Sequence, residues 1–373
     1  MNSKQNITQD SNSSDDSKLI ENDVLLPMKW EIIWREVMIF TFMHLGAIYG
    51  IYLFLMVAKW KTCLFLLFLH IAGILSITAG VHRLWSHKSY KAKLPLRILL
   101  AMFFTVTGQY SCITWVRYHR KHHKYSDTDA DPHNSKRGFF FSHLGWLLIR
   151  KHPQVRAKFI DISDLKEDPV LRFQHKYYVI LVAIFVFILP SYIPTLWGEE
   201  MKVAVYICVC LRFVCSLHVA ASVNSVAHKW GTKPYDKDIK PVESKICSFL
   251  TTGEGFHNYH HTFPWDYRTA ELGGYSLNFT KLFIDFMEKI GWAYDLKVVP
   301  DELIKKRVKR TGDGSHPVWG WGDLDLSADD KKITVINYDK RNTDGISALD
   351  NVSSFLLKQC NTALSFYKRI MSK

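Results

Sequence analysis

Residues 63–87 read CLFLLFLHIAGILSITAGVHRLWSH. From 63 to 81 there is no Lys, Arg, Asp or Glu, and the run ends on His82 and His87. A helix needs about 20 mainly apolar residues to cross a bilayer. This stretch therefore reads as a span that leaves the membrane on a pair of imidazoles. Three other runs qualify, at 37–58, 177–197 and 203–225. The links at 59–62 and 198–202 allow only tight turns, so the spans pair into two helical hairpins. The expected fold is an all-α membrane protein, with four transmembrane helices in two hairpins and a cytosolic helical cap. A weaker apolar stretch at 94–116 carries Arg97 and Gln109 and reads as one helix, lying in the interface or against the bundle.

The whole-chain averages hide this clustering. Of 373 residues, 48% are hydrophobic, and the mean hydropathy is −0.05, an ordinary globular value. Composition excludes collagen-like, fully disordered and disulfide-scaffold chains. The 48 basic and 35 acidic residues leave a net charge of +13. Beside long apolar runs, that excess points to an anionic membrane surface and not to nucleic acid. The seven cysteines have no C-x-x-C spacing and read as reduced thiols.

Residues 82–176 hold 18 Lys or Arg against 7 Asp or Glu. The positive-inside rule puts this segment in the cytosol, and four spans bring both termini there. The sequons at Asn278 and Asn351 then fall on the unglycosylated side. Residues 1–30 are rich in Ser, Asn and Asp, with no signal-peptide core, and read as a disordered cytosolic tail. Within the spans, His44, His70, Arg212 and His218 are expected to face the bundle interior.

The chemistry lies in four histidine groups. They are His82 and His87; His119, His122 and His123; Asn224 with His228; and His257, His260 and His261. On a helix, positions i, i+3 and i+4 share one face. Each H-x-x-H-H therefore presents three imidazoles in one direction. All four groups lie at or just beyond the cytosolic ends of helices and can converge. Nine imidazoles exceed what one metal takes, and two ions with four or five nitrogens each fit the count. Iron, zinc, copper and nickel all suit imidazole, though zinc usually settles for four ligands.

These motifs, with Asp129-Ala-Asp-Pro-His-Asn, Gly138-Phe-Phe-Phe-Ser-His and Gly253-Glu-Gly-Phe-His-Asn-Tyr-His-His, resemble the membrane acyl-CoA desaturases of animals, the stearoyl-CoA desaturase family. Arg310-Thr-Gly-Asp-Gly-Ser-His followed by Trp319-Gly-Trp-Gly-Asp is similar to the insect branch. The resemblance implies a fatty acyl desaturase domain at 31–325 and a C-terminal cytosolic tail at 326–373. It implies two iron ions held by His82, His87, His119, His122, His123, His228, His257, His260 and His261, with Asn224 reaching one iron through water. It further implies an O2-dependent enzyme of the endoplasmic reticulum membrane. That enzyme would take electrons from cytochrome b5 and its reductase and leave a cis double bond in a long acyl-CoA. An alkyl C–H bond has no acidic proton, so the task suits a metal centre and not an acid–base pair.

The substrate positions depart from that family. Its adenosine contacts are replaced by Glu36, Tyr110 and Tyr118, whereas Arg117, Arg150 and Lys151 keep the basic character that suits CoA phosphates. Gln109 and Trp115 match substrate contacts. Ala220-Ala221 stands where the family has Thr with a large aromatic, and Ile74 where a small residue often lets long chains pass. The acyl tunnel is therefore expected to be remodelled. A related diiron lipid hydroxylase, or a desaturase of a non-CoA lipid, could use the same ligands. A silent scaffold or a transporter fits less well, because all ten metal-site positions are filled and no charged pathway repeats.

Overall fold

A computed structural model describes residues 30–320 and Asp329. The expected tails fall outside these residues except for Trp30 and Asp329, as do Asn351 and Cys360. Four helices are long and apolar enough to cross a membrane: α1 (Trp34–Met56), α2 (Trp60–Ser86), α5 (Tyr178–Trp197) and α6 (Met201–His228). Both α2 and α6 run past their apolar windows, and their polar last turns carry His82 and His228. The spans share a bundle with α3 (Leu94–Val106) and α4 (Cys112–Lys124). The cap is completed by α7 (Lys245–Leu250), α8 (His257–Thr262), α9 (Phe279–Lys289) and α10 (Asp301–Thr311), with short turns between them. The one sheet among the described residues pairs Lys91–Ala92 (β1) antiparallel with Ala293–Tyr294 (β2), closing the cap on itself.

The stretch at 94–116 is not one helix. Gly108 and Tyr110 both adopt positive φ, at 70° and 68°, and Ser111 then caps α4 by accepting from the Thr114 amide. Glycine enters this region freely, whereas tyrosine rarely does. The break turns α3 and α4 into a re-entrant hairpin packed against the bundle. A Cβ on Gly80 would touch Leu100, and one on Gly73 would touch Thr107, so α3 descends alongside α2. Backbone may turn at membrane depth when protein encloses it, and Thr107 is fully buried.

Arg212 on α6 secures that turn. Its guanidinium donates to the Val106 carbonyl at the end of α3 (2.6 Å) and to the Cys208 carbonyl (2.8 Å). A cation suits the carbonyl end of a helix, where carbonyls lack partners and the dipole is negative. The span histidines are also partnered. His44 and His218 share a hydrogen bond of 3.1 Å, His218 meets His143 at 2.9 Å, and His70 meets the Ser216 hydroxyl at 3.0 Å. At the opposite end, the Glu199 carboxylate accepts from the Thr62 hydroxyl and the Lys59 amide, tying the second hairpin to the start of α2. The six described cysteines are free thiols. Asn278 is buried as the cap of α9, out of reach of glycan transfer.

Small residues let α1 and α6 approach closely, the usual solution where helices meet in lipid. Gly46 and Gly50 lie one turn apart on α1, facing Tyr206 and Cys210. A Cβ on Gly50 would stand 2.5 Å from the Tyr206 carbonyl oxygen. Gly50→Ala should therefore force the helices apart and cost about 1–3 kcal/mol. The check is a lower midpoint of thermal unfolding in detergent, followed by size-exclusion fluorescence.

Candidate metal centre

The last turns of α2 are wound as a π-helix over Ser76–Ser86. A π-helix bonds each amide to the carbonyl five residues back, and the His87 amide donates to the His82 carbonyl at 3.2 Å. That winding brings His82 and His87 to one side, with ring centroids 4.9 Å apart. On α4 and α8 the histidines keep ordinary α-helical spacing. Each triplet is nevertheless shared. His119 and His123 join His82, His87 and His260 in one group of five. His257 and His261 join His122 and His228 in a group of four. Each H-x-x-H-H thus gives an i, i+4 pair to one group and its remaining histidine to the other.

Within the groups, facing Nε2 atoms stand 2.8 Å apart for His87 and His119, 2.9 Å for His82 and His260, and 3.0 Å for His123 and His260. They stand 3.1 Å apart for His228 and His257, 3.1 Å for His257 and His261, and 3.3 Å for His122 and His261. Around a metal with bonds of about 2.1 Å, neighbouring nitrogens lie roughly 3.0 Å apart in an octahedron and roughly 3.4 Å apart in a tetrahedron. The observed spacings fit such donor sets. Burial, then neighbouring imidazoles, push the pKa of His87, His119, His123, His257, His260 and His261 well below the ordinary value. These rings are neutral at physiological pH, the form that binds a metal.

Carboxylates that sequence reasoning missed stand behind the rings. Asp131 accepts from His122 Nδ1 at 2.9 Å, Glu254 lies 2.8 Å from His82 Nδ1, and Asp127 lies 3.4 Å from His228 Nδ1. All three are buried. Against the cost of burial, His82 and Arg83 hold the Glu254 carboxyl at about 2, and His122 and His133 hold Asp131 low. His122 is raised because Asp131 and Asp127 outweigh its burial. Such partners fix which ring nitrogen carries the proton and aim the other at the metal. Asp131 sits inside a quoted motif. So does Glu254, three residues before His257, whereas Asp127 lies four residues after His123, and only the fold reveals what they face. Asn258, between His257 and His260, uses its whole amide. It accepts from the Tyr235 and Asp236 amides and donates to the Asp236 and Pro241 carbonyls.

A cavity of about 320 Å3 opens beside the rings and runs into the bundle. Its wall includes His82, His119, His122, His257, Asn224 and Glu254, then Gln109, Trp115, Ala220, Ala221 and Ile74, and finally Met43, Val186 and Phe213. Trp115 stacks on His119 at 4.9 Å, and Gln109 donates to the Ser216 carbonyl at 3.3 Å. His133, which the sequence reading passed over, also lines the cavity, its ring 4.3 Å from that of His122. The basic residues lie elsewhere. Arg117 is exposed over the Tyr118 ring, and Arg150 is exposed beside Glu31. The Lys151 ammonium sits over Trp146 at 4.2 Å and bonds its carbonyl, and burial pushes its pKa down to about 7. Glu36, Tyr110, Tyr118 and Trp146 form the cavity wall nearest these cations.

A family model described as Fatty acid desaturase matches residues 58–273. The chain belongs to the fatty acid desaturase family. An acyl-CoA Delta(11) desaturase of Trichoplusia ni is 54% identical over 319 residues, covering 84% of this chain and 91% of that one. An acyl-CoA Delta-9 desaturase of Acheta domesticus is 51% identical over 320 residues, covering 85% and 89%. An acyl-CoA desaturase of Ovis aries is 49% identical over 291 residues, covering 77% and 80%. In the desaturase described here, Asp131→Asn should leave the His122 proton without its carboxylate. Metal retention should fall about 10- to 100-fold. The check is metal per chain, by elemental mass spectrometry, against increasing chelator.

Proposed function

We propose that this desaturase is an O2-dependent acyl-CoA desaturase of the endoplasmic reticulum membrane, multi-pass, with both termini in the cytosol. It would insert one cis double bond into a long-chain acyl group. The observation that carries this reading is the cavity, which joins two imidazole groups to an apolar channel inside the spanning bundle. The five-nitrogen and four-nitrogen groups would each hold one iron, with Asn224 beside the smaller set. Bound there, the irons supply the O2-activating redox chemistry that an unactivated C–H bond requires. Cytochrome b5 and its reductase would deliver the electrons. The loop charge and the even number of described spans support the cytosolic assignment.

The protein's own part is positioning. Asp131 holds the Nδ1 proton of His122, and Glu254 and Asp127 stand as charge partners beside Nδ1 of His82 and His228. The spanning helices exclude water and hold an alkyl chain against the rings, where geometry selects the carbon. Lys151 and Arg150 would take the CoA phosphates, and a phosphate beside Lys151 favours its charged form.

The Trichoplusia ni and Acheta domesticus relatives are nearly equally similar yet named for different double-bond positions, so local tunnel residues must decide the outcome. Expression in desaturase-deficient yeast, with double-bond mapping of the lipids, should yield a new monounsaturated fatty acid. The purified protein should hold two irons per chain, and His260→Ala should abolish turnover. Loss of O2-dependent desaturation with full metal would overturn the reading, and a hydroxylated product would replace it.

The tunnel makes its own forecast. Ile74 is buried in the wall, and Ala220 and Ala221 flank the metal end. Ile74→Ala should lengthen the accepted chain, and Ala220→Thr with Ala221→Trp should shift the double bond. One methylene of fit is worth about 1–3 kcal/mol, so product ratios should change by graded amounts. Double-bond mapping on matched acyl-CoA lengths reads both effects.

A further inference from the structure

Two helices of the cap leave apolar faces uncovered. On α7, Ile246 and Phe249 are 64% and 69% exposed, and Leu250 is exposed beside them, while Cys247 and Ser248 turn inward. On α9, Phe279 and Phe286 are exposed along one stripe that Ile290 extends just past the helix end, away from the buried Thr280, Ile284 and Met287. A soluble cap would not display this much apolar surface without a partner.

Their depth identifies the partner. The α9 residue Thr280 donates from its hydroxyl to that of Thr78 on α2, at 2.8 Å. The α7 residue Cys247 meets the Ser222 hydroxyl on α6, at 3.5 Å. About 20 residues cross the hydrocarbon core. Counted from Trp60 at the start of α2, about 20 residues end beside Thr78; counted from Met201 at the start of α6, they end beside Ser222. Two independent helices therefore place α7 and α9 at the same boundary. The apolar surface is also continuous with the lipid-facing surface of the spans. Ile290 is followed by Trp292, whose carbonyl accepts from the Lys93 amide, and exposed Leu94 and Ile98 then lead down α3 towards exposed Phe68 on α2. Exposed Lys245 and Lys289 flank the two faces and suit anionic headgroups.

We propose that α7 and α9 lie in the plane of the membrane, with Ile246, Phe249, Leu250, Phe279, Phe286 and Ile290 inserted at the boundary between headgroups and acyl chains. The cap is seated in the bilayer and does not stand above it. An interfacial helix buries its apolar face to roughly 5–10 Å, which sets the metal groups close to the membrane surface and gives the cavity a short path from lipid.

The test is photocrosslinking of the full chain in native membranes. Benzoylphenylalanine replaces Phe249 or Phe286 singly, with Leu67 on the exposed face of α2 as the lipid control and Lys309 on exposed α10 as the solvent control. Phospholipid adducts are counted by mass spectrometry. The expected result is adduct yields at 249 and 286 close to that at 67 and about tenfold above that at 309, as in-plane insertion requires. Adducts at 67 with only background at 249 and 286 overturn the proposal, as do crosslinks from these positions to another protein. Should either replacement lower the yield of folded protein, Ile246 and Ile290 serve as the paired positions, read in the same way.

Discussion

Nine imidazole nitrogens must be held lone pair to lone pair, about 3 Å apart, in a buried space. Without a cation that arrangement is unfavourable, because each ring has lost its water and faces a like neighbour. The fold answers by fixing the rings from behind and from the helices that carry them. The π winding of α2 turns His87 back beside His82. Asp131 bonds the outward nitrogen of His122, and Glu254 and Asp127 stand beside those of His82 and His228. Arg83, fully buried, donates to Glu254 and to the Tyr267 carbonyl, so the carboxylate behind His82 is itself fixed. Asn258 clamps the short helix that carries three more of the imidazoles. A six-residue helix has little stability of its own, and those four hydrogen bonds supply what its length does not.

The same demand explains why the spans do not stop at the membrane. Helices α2 and α6 deliver imidazoles from their extensions, and the re-entrant hairpin delivers three more from α4. To do so, α3 must enter the bundle and turn back. Its exposed carbonyls would be costly there. The Arg212 guanidinium satisfies the last of them from a neighbouring span. A cation that sequence alone marks as expensive in lipid thus proves to be the cap of a helix that sequence alone does not end.

Hydropathy made the four spans legible, because membrane thickness leaves little freedom in helix length. Histidine spacing made the ligand triplets legible, because a helix face is a local property. What stayed hidden was not local. Propensity gives no warning that Tyr110 takes a left-handed conformation, so 94–116 reads as one helix until the tertiary structure breaks it. The π winding is equally silent, and a five-residue spacing such as His82 to His87 looks wrong for an α-helix. Asp127 and Glu254 resemble any loop carboxylate until the rings they serve are placed. Arg117 and Arg150 match a phosphate-binding pattern, and only the fold shows that both stand exposed outside the cavity wall.

The sharing of each H-x-x-H-H between both groups couples them mechanically. A rotation of α4 about its axis that withdrew His122 from one group would carry His119 and His123 out of the other. The same holds for α8, where His260 sits between His257 and His261. Neither centre can be loosened, emptied or reshaped by itself. On the proposed two-metal reading, filling the first would stiffen the scaffold of the second, and partly filled molecules would be disfavoured against full and empty ones. For the proposed reaction with oxygen, that coupling would keep a half-built site from forming.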